Sequence, residues 1–150
     1  IKQKQMDNVI STSDEALKIL EEAGELTYLS SLHYVLADFY IFSEEYDEAL
    51  KMAQKSKKFA EKSHDEIQKI RSMRKVIEIR VKQSSEDYMD LLDETIAFGN
   101  QKNLYYELAK LYVMLYINNP ALIHYIYKAK EMALFFDQCQ LTQAINKLVD

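Results

Sequence analysis

Turn formers are scarce in this chain, with 2 Gly and 1 Pro in 150 residues. A β-rich fold or a loop-built active site draws on far more of both, so the scarcity points to helices joined by short turns. A single cysteine, Cys139, excludes an internal disulfide and any multi-cysteine zinc cage. It also favours a reducing compartment, and a cytoplasmic location is the expectation. No apolar run approaches about 18 residues, so no membrane-spanning helix is expected. Nor is a signal peptide visible. There is no basic excess either. Lys and Arg number 19 against 24 Asp and Glu, a net charge of −5, which argues against direct nucleic-acid contact. The chain opens on Ile1 rather than Met and reads as a piece of a longer protein.

What is present is an ordinary folding composition, 48% hydrophobic and 29% charged, enough for a single domain spanning 1–150. Thr12 with Glu15 and Ser63 with Glu66 have capping-box spacing. Ser43 and Ser84/Ser85 are further N-cap candidates, and Asn119-Pro120 reads as a cap followed by Pro at the first helical position. Between these signals apolar residues recur three and four apart. The expected helices lie at 13–24, 27–42, 45–62, 65–82, 86–99, 102–117, 120–136 and 139–149, in short-linked antiparallel hairpins.

The helices echo one another. Leu36-Ala37-Asp38-Phe39-Tyr40 returns as Leu108-Ala109-Lys110-Leu111-Tyr112, and Ala23, Ser56, Thr95 and Ala129 align at spacings of 33, 39 and 34 residues. The stretch LADFYIFSEEYDEALKMAQKS resembles the tetratricopeptide repeats, in the looser, long-helix variety of bacterial signalling and transcription regulators. Leu36, Ala37 and Tyr40 fit its first helix, and Tyr46 and Ala49 its second. Leu108, Ala109 and Tyr112 fit again, whereas Arg74 stands at the small position of the middle unit. The resemblance implies an all-α, right-handed solenoid of about seven to eight helices. Its parts are a half-unit at 13–24, units at 27–62, 65–99 and 102–136, and a terminal helix at 139–149. Small residues such as Ala49 then let the helices of a hairpin approach, and large ones fill the space between hairpins.

No phosphate loop, nucleophile elbow or metalloprotease helix is present. His33, His64 and His124 have no second metal-type ligand at i+4 and read as packing or turn residues. Cys139 has no histidine neighbour in sequence and reads as a quiet thiol. The acidic clusters read as helix N-terminal charge. The expectation is a non-enzyme that needs no cofactor. Of the 11 tyrosines, Tyr105, Tyr106, Tyr112, Tyr116, Tyr125 and Tyr127 crowd into the third unit. Tyrosine serves both cores and binding surfaces; here core is favoured, least so for Tyr106.

Tetratricopeptide arrays hold a peptide along the surface of their first helices. Carried over, the resemblance implies groove positions at Tyr34, Asp38 and Ile41, then Gln68, Arg71, Lys75 and Glu78, then Asn103, Tyr106, Lys110 and Val113. Arg71, Lys75 and Lys110 would form a basic strip for an acidic ligand, weighed evenly against a solvated helix face. The expected function is a protein- or peptide-binding module of a bacterial regulator. A peptide-pheromone receptor domain and a homodimerisation domain are the alternatives.

Overall fold

The computed structural model describes residues 2–136 and 139–149. Among them there are eight α-helices and no strand: α1 (Lys2–Ala23), α2 (Leu26–Phe42), α3 (Tyr46–Lys62), α4 (Glu66–Lys82), α5 (Met89–Gln101), α6 (Tyr105–Asn118), α7 (His124–Met132) and α8 (Cys139–Val149). A single 3-10 turn, Ala133–Phe135, extends α7. Among the described residues no helix is long and apolar enough to cross a membrane. The chain divides into two compact units, 1–72 and 73–150, and the division falls inside α4.

One turn is used five times. Gly24, Glu44, His64, Ser84 and Asn103 all have φ between 55 and 70°. They stand 19 or 20 residues apart. After each, the next N–H reaches five residues back to a helix-end carbonyl: Glu25 to Leu20 (3.0 Å), Glu45 to Tyr40 (2.9 Å), Asp65 to Ala60 (3.0 Å), Ser85 to Arg80 (3.0 Å) and Leu104 to Gly99 (2.8 Å). This is the Schellman closure, which satisfies the last carbonyls of one helix while reversing the chain into the next. Only one of the five left-handed residues is a glycine. The scarcity of glycine therefore does not prevent tight turns; polar residues take the strained position instead.

These turns relocate the expected caps. Ser43 and Ser63 end α2 and α3 instead of starting the following helices. Their hydroxyls donate to Phe39 O (3.1 Å) and Ala60 O (3.2 Å). The true N-cap of α4 is Asp65, whose Oδ1 accepts from the Gln68 N–H at 2.9 Å. Asn119 ends α6, and its Oδ1 accepts from the Ala121 N–H (3.2 Å), so Pro120 opens a turn and α7 starts only at His124. Nor does Thr12 cap a helix. α1 runs straight through it from Lys2, because Met6, Ile10, Ser13, Leu17 and Leu20 make one half-buried stripe at spacings of four and three.

In the first unit, α1 packs on α2 and α2 on α3. Ala37, Ala49 and Ala53 are fully buried, which brings α2 and α3 close. Deeper in, three buried serines join α2, α3 and α4. Ser30 donates to Ser56 O (2.7 Å) and Ser56 returns the bond to Ser30 O (2.8 Å). Ser72 lies 2.7 Å from the Ser56 hydroxyl and donates to Gln68 O at 2.8 Å. Small side chains permit the approach, and each buried hydroxyl is satisfied, as burial demands.

In the second unit, α6 packs on α5 and α7, and α7 on α8. Leu92, Leu108, Leu111, Leu115, Ile126 and Ile145 form its core. Thr95 and Ala129, like Ser56 in the first unit, are fully buried. Arg74, which the repeat resemblance sets at a small position, has a partner here. Its guanidinium meets the Glu107 carboxylate at 2.5 Å and reaches the Glu107 carbonyl at 3.4 Å, and Glu107 is only 4% exposed.

Candidate functional site

α2 reads LTYLSSLHYVLADFYIF, 17 residues with Asp38 its one acidic side chain and no Lys or Arg. A helix apolar all round belongs in a core. Its inner face does lie there, with Leu29, Ser30, His33, Leu36 and Ala37 all buried. Its outer face does not. Tyr28, Val35 and Phe42 are 64%, 59% and 78% exposed. They are spaced by seven residues, so they form one strip of about 21 Å along the helix axis. Ser31 and Asp38 are exposed between them.

The strip ends in a cleft. Gln5, Met6 and Val9 of α1 and Phe39, Phe42 and Ser43 around the end of α2 line an opening of ≈ 210 Å³. Phe39 also meets Tyr40 edge-on at 5.5 Å. Isolated exposed apolar residues are normal on any protein. A periodic strip continuous with an apolar cleft is a different feature, of the kind that marks an interaction surface.

The groove positions carried over from the repeat resemblance have varied surroundings. On α2, Tyr34 and Ile41 are half-buried and Asp38 is exposed, the last on the outer strip. On α4, Gln68 is buried, its amide 3.5 Å from the Ser56 hydroxyl. Arg71 is half-buried. Lys75 is 7% exposed, and its ammonium donates to Glu78 at 2.9 Å. Asn103 is the left-handed residue of a turn, and its Oδ1 accepts from the Tyr105 hydroxyl at 2.9 Å. Tyr106 meets Phe136 edge-on at 5.3 Å, and the Lys110 ammonium lies over the Tyr106 ring at 4.4 Å. Val113 is half-buried. The structure thus brings together Tyr106 with Lys110 and Lys75 with Glu78. It places Gln68 in the serine cluster.

The tyrosines of α6 and α7 divide. Tyr112 is buried and stacked on Tyr125 at 5.8 Å, whereas Tyr127 is half exposed. Tyr105 packs on Phe135 at 4.6 Å, yet Phe135 and Leu134 remain 63% and 84% exposed. His33 donates from Nδ1 to Leu29 O (2.8 Å) and lies against Phe59. His124 is exposed beside Tyr125, and His64 is a turn residue. The Cys139 side chain lies outside the described residues.

Sequence reasoning missed Tyr28, Val35 and Phe42 as surface residues. Their seven-residue spacing, on a helix that carries no cation, was the available signal. No protein-family model, no curated protein and no solved structure matches this chain.

Proposed function

We propose that this chain is a protein-interaction module that receives a helical segment of another protein on the outer face of α2. The observation that carries the reading is the strip of Tyr28, Val35 and Phe42, an apolar repeat exposed on a helix whose inner face is core. Covering side chains of this size removes apolar area worth roughly 25 cal/mol per Å², and aromatic anchors dominate such interfaces. The resemblance to tetratricopeptide repeats supports the same class of role, as the interaction or sensory arm of a bacterial regulatory protein. An acidic ligand on the strip of Arg71, Lys75 and Lys110 has less support, because Lys75 is buried and already joined to Glu78.

A displayed library of helical peptides, panned against the full chain, tests the proposal. Enriched peptides should bind the wild type and lose at least about tenfold in affinity, about 1.4 kcal/mol, to the double variant Val35→Ser/Phe42→Ser. Both positions are exposed, so the far-UV circular dichroism and melting of the variant should match the wild type. Peptides that bind the variant undiminished would remove α2 as the site.

A further inference from the structure

The charge of the chain is unevenly distributed, and this bears on what covers the α2 strip. Residues 1–45, which hold α1 and α2, carry nine acidic side chains against three basic ones, a net −6. Residues 46–150 carry 15 acidic against 16 basic, a net +1, so the net acidity of the chain lies in α1, α2 and the turn that follows them. Acidic residues also bracket the strip itself. Glu25 precedes Tyr28, Asp38 is exposed between Val35 and Phe42, and Glu44 and Glu45 follow Phe42 at the exposed turn. His33, the one imidazole on α2, is buried, and desolvation lowers its pKa from 6.5.

We infer that the partner segment is a basic amphipathic helix, with apolar residues at heptad spacing and Lys or Arg on both flanks. This rests on the interaction-module reading and adds the chemistry of the partner. The strip runs along the helix axis with one apolar residue per heptad, Tyr28, Val35 and Phe42, and polar Ser31 and Asp38 between them, so a second helix crossing at about 20° would set one apolar position of each heptad on it. Flanking Lys or Arg would then stand opposite Glu25, Asp38, Glu44 and Glu45, giving complementary potential at the rim. A second copy of this chain fits poorly. A two-fold interface through α2 would set one net-acidic segment, α1 to the turn after α2, against another, and like charges across an interface oppose association.

Fluorescence anisotropy with the full chain and two labelled synthetic peptides of 21 residues or so tests this. Both carry Leu at a and d; one has Lys at e and g, the other Glu. The Lys peptide should bind at least about tenfold more tightly at about 0.1 M salt, and the gap should shrink as salt rises. Neutralising the rim with Asp38→Asn/Glu45→Gln should weaken the Lys peptide several-fold, and Val35→Ser/Phe42→Ser should abolish its binding. Equal affinity for the two peptides would overturn the charge inference and leave the interaction module standing. Lys-peptide binding that ignores Val35→Ser/Phe42→Ser would overturn docking on α2 itself. A mass by light scattering that doubles with concentration, and fails to do so in Val35→Ser/Phe42→Ser, would give the face to a second copy and overturn the inference.

Discussion

His33 is the buried titratable group of α2, 2% exposed and held by the Leu29 carbonyl. Burial lowers its pKa from 6.5, Lys55 pushes in the same direction, and the Leu29 bond and Glu21 oppose them. The native state therefore takes up its proton at lower pH than the unfolded chain does. Well above pH 6.5 both states are neutral at this residue and the full contribution to stability is present. As pH falls below 6.5 the unfolded chain binds the proton first, and stability is lost at up to about 1.4 kcal/mol per pH unit until the native ring also titrates. The carboxylates contribute mainly below pH 5 or so. Urea unfolding between pH 7.5 and 5 should thus show a slope in the wild type that His33→Leu lacks. Parallel curves for the two proteins would mean that His33 does not titrate differently on folding.

At the scale of elements, the helices were legible and their junctions were not. Apolar spacing of three and four placed α2, α3, α4 and α6 within about three residues at either end, and α8 at its observed limits. The caps were assigned to the wrong helix. In a three-residue turn, a serine such as Ser43 or Ser63 sits between two helix ends, and its sequence position fits either one; hydrogen-bond geometry decides for the preceding helix. On α4 the transferred groove register met a helix buried on most sides: Gln68, Ile70, Ser72, Met73, Lys75, Val76, Ile77 and Ile79 are all buried. Periodicity cannot show that a helix carrying Lys and Arg is enclosed by its neighbours. The α2 strip was legible in principle, yet the shorter spacings of the same helix masked it. The turns themselves carry a prediction. Ser84, at φ 55°, holds a conformation that costs an L-residue about 1 kcal/mol or more, whereas glycine adopts it freely. Ser84→Gly should raise the urea midpoint by roughly 0.5–1 kcal/mol of stability at unchanged m. Gly24→Ala should lower it by about as much, through conformation alone, because an added Cβ at Gly24 meets nothing within 4 Å. A destabilised Ser84→Gly variant would count against strain at that turn.

At the scale of the whole molecule, α4 is the element that both units require. Ser72 ends the first unit, in the serine cluster with Ser56, and Arg74, two residues on, holds Glu107 in the second. The backbone hydrogen bonds of one helix run through the division, and a helix forms and melts cooperatively along its length. Damage placed in the second unit should therefore be felt in the first. Arg74→Ala removes the ion pair of a carboxylate only 4% exposed, a loss of about 3–5 kcal/mol for a buried pair. Arg74→Lys should cost less, because it retains the charge while losing the planar fork. Native-state hydrogen exchange can locate the effect, since it reports opening free energies amide by amide. In Arg74→Ala the amides around Ala109 on α6 should lose protection, and those around Ala53 on α3 should lose part of theirs. If Ala53 kept its wild-type exchange while Ala109 was fully deprotected, the two units would open independently. The continuous α4 would then be a covalent link and no more.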